Sequence, residues 1–257
     1  MNEPPYQVAF CFLYIWFSSN FPMKKFILVF VLLPTINMSF GQSLTGSQLL
    51  DKAIEYHDPN GHWPSFNHIL NVIMTTPNAP DRVSKITINL PKRFFQVIAT
   101  KDGTTTEYTI DKGDCRLALN GKTNLTDEEL KANNLNCDRA NRYKNYYTYL
   151  YGLPMKLKDP GTIVHEKVEQ KTFKGKSYLT LKVTYDKAVG SDVWYFYFNP
   201  KTFAMEVYQF YHDEAKNDGE YILLSGIETI NDIKMPKVRA WYTNKENKYL
   251  GTDTLQK

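Results

Sequence analysis

The chain has 257 residues, of which 42% are hydrophobic, 14% aromatic and 23% charged. That length suits one sizeable β domain or two small ones, and it is enough to bury a substantial core. The formal net charge is only +4, with both signs interspersed, so the sequence lacks the basic surface typical of nucleic-acid-binding proteins.

The first 41 residues have the pattern of an export signal. Met23-Lys24-Lys25 is a charged start, residues 26–33 are apolar, and Ser39-Phe40-Gly41 is a small-x-small cleavage site. The apolar run is too short to span a bilayer stably. We therefore predict an upstream extension plus a signal peptide in residues 1–41, with the true start at Met23 and cleavage near Gly41. The remaining residues 42–257 are predicted to form a single domain that is soluble and periplasmic, or otherwise exported.

The mature chain is predicted to begin with a helix and to continue as short strands. Thr45 and Gln48 form a capping-box pattern, and apolar residues then recur at helical spacing as far as His57. Turn residues such as Asp102-Gly103 and Asn120-Gly121 separate the strand patterns that follow. These strands are predicted at residues 66–76, 83–90, 94–100, 105–110 and 116–119. Strands this close in sequence favour an antiparallel meander.

Residues 126–151 interrupt the strands with a helical pattern. A second capping box begins at Thr126, and aromatic residues recur at three- and four-residue steps from Tyr143 to Tyr151. Cys115 lies before this insertion and Cys137 within it. In an oxidising compartment the two cysteines are a natural disulfide pair, with two separate buried thiols as the alternative.

The second block of strands contains the most informative stretch, an aromatic hairpin at residues 193–211. Its first run alternates Trp194, Phe196 and Phe198 with Tyr195 and Tyr197, so both faces of the strand are aromatic. We expect either a helix or a bound apolar molecule to cover the second face. Other strands of this block are predicted at residues 164–173, 178–185, 221–230, 236–243 and 248–252.

Together these patterns predict a mainly β (α+β) protein. About 10–12 antiparallel strands are too many for a flat open sheet without curling. We expect a strongly curved half-barrel whose concave side is covered by the N-terminal helix and by the mid-chain helical insertion.

This order of elements resembles the LolA/LolB-like superfamily of outer-membrane lipoprotein carriers. Residues 86–95, which end in Pro91 and an Arg93-aromatic step, resemble a strand of those carriers, and residues 198–202 and 221–236 resemble their hairpin and late strand. Residues 56–61 and 146–154 more closely resemble an exported domain-of-unknown-function family. The carrier resemblance implies a hydrophobic cavity between sheet and helices that shelters an acyl chain or similar lipid.

We therefore interpret the chain as an envelope protein that binds a lipid or acylated protein and is not an enzyme. The predicted cavity lining, taken from alternation, is Trp63, Phe66, Phe95, Tyr147, Tyr151, Trp194, Phe196, Tyr208, Phe210 and Trp241. We expect a monomer with no cofactor, a transient contact with another envelope protein, and no nucleic acid. The alternatives are a half-barrel filled by its own side chains, acting as a structural or partner-binding envelope module, and a hydrolase that uses His57 or His212.

Polar residues form one further candidate cluster. His57 and Asp58 belong to one Tyr-His-Asp triplet and His212 to another, and the two triplets would make a site if they met in space. Their spacing matches no recognised metal motif, so we predict no metal there. Hydrogen bonding at a helix end and a turn is the simpler role for His57 and Asp58.

Overall fold

The computed structural model describes residues 44–256, which form a twelve-stranded antiparallel sheet with three α-helices. The predicted extension and signal peptide lie outside the described residues. The helices are α1 (Gly46–His57), α2 (Asp127–Ala132) and α3 (Cys137–Gly152). The strands are β1 (Asn67–Thr76), β2 (Ala79–Asn89), β3 (Phe94–Lys101), β4 (Thr104–Asp111), β5 (Asp114–Leu119), β6 (Thr162–Phe173), β7 (Lys176–Tyr185), β8 (Val193–Phe198), β9 (Met205–Tyr211), β10 (Glu220–Ile230), β11 (Ile233–Thr243) and β12 (Tyr249–Gln256).

The sheet is open, and each block of strands forms a meander. Its order is β5-β4-β3-β2-β1-β12-β11-β10-β9-β8-β7-β6, so β12 joins the two blocks by pairing with both β1 and β11. The sheet is not closed into a barrel, and its two edges are β5 and β6. The predicted mainly β class and strand number are confirmed.

Both predicted capping boxes are present. The Thr45 side chain accepts from the backbone N–H of Gln48, whose side chain accepts from Thr45 in return. Thr126 and Glu129 make the same exchange at the start of α2. These reciprocal bonds satisfy backbone donors that a helix start leaves free, so local sequence is enough to place both starts.

Helix α1 lies across the strands of the second block. Gly46 at its start meets His165 of β6, and His57 at its end bonds to Lys234 of β11. Its 12 residues span about 18 Å, which lets one helix reach strands on both sides of this block. The open sheet thus carries its helices on one face, as predicted.

The covered face has two hydrophobic clusters that meet at α3. One includes Phe66, Phe95 and Tyr147 between β1–β4 and the helical insertion. The other includes Leu49 and Phe196 between α1 and β7–β10. Because α3 contributes buried side chains to both clusters, it holds the two halves of the sheet together.

The outer aromatic face of β8 is covered by the β6–β7 hairpin, whereas we expected a helix or a bound apolar molecule there. The Phe173 ring, at the end of β6, lies 5.2 Å from both Tyr197 and Tyr221, measured between ring centroids. The Lys174 ammonium lies 4.8 Å from the centroid of the Tyr221 ring. The tip of the β6–β7 hairpin thus folds over this face, and Tyr197 is only 4% exposed. Two aromatic faces on one strand are therefore not evidence of a ligand here.

Candidate functional site

The structure divides the ten predicted cavity residues into two groups. Seven are packed into the protein's own core and are at most 6% exposed: Trp63, Phe66, Phe95, Tyr147, Tyr151, Phe196 and Tyr208. The other three, Trp194, Phe210 and Trp241, are half-buried and line an open cavity. Much of the half-barrel is thus filled by its own side chains. Trp63 and Phe95 also border a pocket of about 360 Å³, and Trp194, Phe210 and Trp241 line a larger space.

That space, which we call the Trp194 cavity, lies between α3 and strands β7–β11. Typical ligand pockets have volumes of about 300–1,000 Å³, and the Trp194 cavity has a volume of about 700 Å³. Its apolar wall contains Trp194, Phe210 and Trp241 from the sheet and Tyr146 and Tyr149 from α3. The cavity is formed where α3 and the sheet separate beyond the packed core.

Aromatic rings form a continuous wall in this cavity. Trp194 stacks on Phe210 with ring centroids 4.9 Å apart, and the Tyr149 ring meets Trp194 edge-on at 5.6 Å. Across the cavity mouth, Tyr146 stacks on Trp241 at 6.0 Å. Rings held by one another in this way present a rigid apolar surface with little conformational entropy left to lose on binding.

The rim of the cavity is polar. The hydroxyls of Tyr149 and Tyr185 share a hydrogen bond. His212 is hydrogen-bonded to Asp192 at 2.8 Å, and this contact raises the pKa of the imidazole. Burial raises the pKa of the Glu220 carboxyl at the same rim. An apolar wall with such a rim suits a molecule that has an apolar body and a polar end.

The predicted polar cluster of His57, Asp58 and His212 is not assembled. His57 bonds to the backbone of Met205, the first residue of β9, whereas His212 follows the last residue of that strand. Seven strand residues separate these positions by about 23 Å. Asp58 accepts from the backbone N–H groups of His62 and Trp63, which is the predicted turn-bonding role.

His57 does not have the surroundings of a catalytic base. Both ring nitrogens of His57 are engaged by backbone groups, and His212 pairs with a carboxylate. Within residues 44–256 no group of three His, Cys, Asp or Glu side chains is placed to hold a metal ion. No helix in the same range is long and apolar enough to cross a bilayer.

Sequence reasoning missed a buried polar centre under α3. Arg239 and Asp253 face each other on neighbouring strands and are each only 1% exposed. Arg239 donates to the carbonyl oxygens of Pro236 and Leu150, and Asp253 accepts from the Tyr146 hydroxyl at 3.2 Å. Alternation offered a signal, because Arg239 is two residues from Trp241 and so shares its inward face.

Cys115 and Cys137 are bonded, with their Cα atoms 5.9 Å apart. The bond joins edge strand β5 to the first residue of α3. The alternative of two separate thiols is therefore excluded, and the cavity-forming helix is tethered covalently at its start.

Comparison with known proteins agrees with this architecture. A LolA superfamily protein from Nitrosomonas europaea matches with a TM-score of 0.50 and 11% sequence identity, over 84% of this chain and 93% of that chain. A putative outer membrane lipoprotein-sorting protein domain from Vibrio parahaemolyticus gives a TM-score of 0.47 at 11% identity, over 82% of this chain and 92% of that one. A DUF1329 family protein from Desulfovibrio piger gives 0.48 at 11% identity, over 83% and 92%. At such identity the first match establishes a LolA-like fold and nothing finer.

In sequence, the model of a family of unknown function, DUF6503, matches residues 24–257. No curated protein matches the chain.

Proposed function

The chain belongs to DUF6503, a family of unknown function, and we propose that it is a non-catalytic envelope protein that binds a lipid or lipoprotein acyl group in the Trp194 cavity. The observation that carries this proposal is the wall of Trp194, Phe210, Tyr149 and Trp241 beside a polar rim. A LolA-like fold supports the same class of function.

The cavity limits what the ligand can be. Tyr147, Tyr151 and Tyr208 already fill the middle of the half-barrel. A guest therefore occupies the end between α3 and β7–β11 rather than the whole concave side. About 700 Å³ accommodates one acyl chain, or part of one, better than a complete multi-chain lipid.

The binding energy would come from the apolar wall. Burying ten methylene groups contributes about 8 kcal/mol, at about 0.8 kcal/mol each. The acyl chain loses conformational, translational and rotational freedom on binding, and this entropy cost offsets part of the gain. We expect dissociation constants in the micromolar range, with the polar rim orienting the head of the ligand towards solvent.

A fluorescent fatty acid tests the proposal directly. Dansyl-undecanoic acid should show saturable fluorescence enhancement with one site per chain, and unlabelled palmitate should displace it. Native mass spectrometry of the protein purified from the cell envelope should show a bound lipid. Protein that carries no lipid and takes up no probe would refute the proposal.

A further inference from the structure

A second concave site lies on a different face of α3 from the Trp194 cavity. It has a volume of about 400 Å³ and is enclosed by β1–β4 and the helical insertion. We call it the Arg82 pocket, after the residue at its base. Arg82, Lys101, Arg139 and Tyr143 are its main polar residues, with Asp102 at the β3–β4 turn. Its lining thus carries three cations and one carboxylate.

Two guanidinium groups converge in this pocket on one hydroxyl. Arg82 Nη1 lies 3.4 Å from the Tyr143 hydroxyl oxygen, and Arg139 Nη2 lies 3.2 Å from the same atom. Their guanidinium carbons are 5.6 and 5.5 Å from the centroid of the Tyr143 ring. Two like charges brought this close repel each other unless an anion lies between or beside them.

The counter-charge on this face is Asp253, which lies across β1 from Arg82 and interacts with it electrostatically but without a hydrogen bond. Among residues 44–256, neither Arg82 nor Arg139 forms an ion pair with a carboxylate, and the partners of their Nη atoms are tyrosine hydroxyls. The Nε–H of Arg82 is buried without a hydrogen-bond partner in that part of the chain. Since each guanidinium has five N–H donors, most of these donors have no partner among residues 44–256.

We propose that the Arg82 pocket binds a phosphate group. Planar guanidinium groups match phosphate oxygens with paired, charge-assisted hydrogen bonds, which is why arginine is favoured where phosphate is recognised. Lys101 supplies a third cation at the pocket edge. The phosphate can belong to a free anion or to a lipid headgroup, since both present the same oxygens. This proposal does not depend on the Trp194 cavity, because α3 presents different side chains to the two sites.

The test begins with calorimetric titration of the protein with inorganic phosphate at low ionic strength. A parallel arm measures co-sedimentation with phosphatidylcholine vesicles that contain or lack phosphatidic acid. The main variant is Arg139→Gln. The matched control is Arg116→Gln, which removes the same charge from an exposed arginine that pairs with Asp111. Circular dichroism checks that each variant is folded.

We expect saturable phosphate binding that weakens about tenfold in Arg139→Gln and by less than twofold in Arg116→Gln. If Arg139→Gln does not fold, Lys101→Gln at the exposed edge should weaken binding at least twofold. Binding of inorganic phosphate would identify a free anion as a sufficient ligand. Binding to phosphatidic acid vesicles alone, lost in Arg139→Gln, would identify a lipid headgroup. The proposal would be overturned by no binding in either arm, or by equal losses of phosphate affinity in Arg139→Gln and Arg116→Gln.

Discussion

His57 Nε2 accepts a hydrogen bond from the backbone N–H of Met205, 2.9 Å away, across 148 residues of sequence. The opposite ring nitrogen, Nδ1, lies 2.6 Å from the carbonyl oxygen of Lys234. Because a backbone N–H can only donate and a carbonyl can only accept, the imidazole is neutral with its proton on Nδ1. One fully buried side chain therefore joins the end of α1 to the starts of β9 and β11.

Acid should weaken this junction. Burial lowers the pKa of His57 to about 4 from its ordinary value of 6.5. Between these values the unfolded chain binds a proton that the folded protein does not, so the stability contribution of the neutral imidazole is lost as pH falls from 6.5 to 4. The expected loss from this residue is about 3 kcal/mol, at 1.36 kcal/mol per pKa unit. Urea unfolding measured between pH 4 and 7.5 gives the slope.

His57→Gln should lower the free energy of unfolding at pH 7 by about 1–3 kcal/mol, because a buried backbone group loses its partner. It should also flatten the pH dependence below 6.5. His212→Gln is the matched control with the opposite sign. Asp192 raises the pKa of His212 above 6.5, so this histidine adds stability as pH falls through the raised pKa and adds a constant amount below 6.5. His212→Gln should therefore change the slope only above pH 6.5 and leave the loss between pH 6.5 and 4 as in wild type. Equal pH slopes in wild type and His57→Gln would contradict this assignment.

The start of α1 has no room for a larger residue. A Cβ atom placed on Gly46 would lie 2.0 Å from the carbonyl oxygen of His165 in β6 and 3.0 Å from Leu181. Gly46→Ala should therefore push the helix off the edge strand and lower the free energy of unfolding by about 1–3 kcal/mol. Ser47→Ala, at the exposed neighbouring position, is the control and should change it by less than about 0.5 kcal/mol. Similar urea midpoints for the two variants would show that α1 shifts without cost.

The disulfide should stabilise the helical insertion. Cys115 and Cys137 are 22 residues apart in sequence, and a cross-link that closes a loop of this size contributes about 3 kcal/mol. The double variant Cys115→Ser with Cys137→Ser should lose about that amount in urea unfolding, and amide exchange should accelerate in α2 and α3. Wild-type protein treated with dithiothreitol serves as the comparison. A change below about 0.5 kcal/mol would show that packing alone holds α3.

Much of the fold could be predicted because the local signals are strong. Aromatic alternation fixes β8, and the capping boxes at Thr45 and Thr126 fix two helix starts. The last strand was predicted at residues 248–252 but extends from Tyr249 to Gln256. In the later part of this strand, Asp253 and Leu255 point inward and Thr254 points outward. Because Asp253 is charged, the usual alternation of apolar and polar residues is not visible in the sequence. Only pairing with β1 and β11 makes that strand evident.

The site was harder to predict, for a physical reason. Alternation indicates which face a side chain occupies, but not whether another part of the chain already fills the space in front of it. Phe196 and Trp194 share one face of β8, yet Phe196 is packed in the core and Trp194 faces the cavity. The difference depends on where α3 runs. Similarly, we expected a helix or a ligand to cover Tyr197, but Phe173 at the tip of the β6–β7 hairpin covers it. Phe173 is distant from Tyr197 in sequence, so strand alternation gives no sign of this contact.

Replacing the cavity wall should separate binding from folding. Trp194 is half-buried, stacks on Phe210 and lines the cavity without belonging to the fully packed core. In Trp194→Ala we expect uptake of dansyl-undecanoic acid to weaken about tenfold or more, because about 1.5–3 kcal/mol of apolar contact is removed from the ligand. The urea midpoint should fall only modestly.

Tyr195→Ala is the matched control, since it removes an aromatic ring from the same strand on the opposite face, where Tyr195 contacts Glu214 and Lys182 instead of the cavity. Its probe affinity should stay within twofold of wild type. Phe196→Ala differs from both, because it empties a fully buried position and should cost about 3–5 kcal/mol of stability. If Trp194→Ala and Tyr195→Ala bound the probe equally well, the ligand would have to enter elsewhere, and the Trp194 cavity would be only a gap between α3 and the sheet.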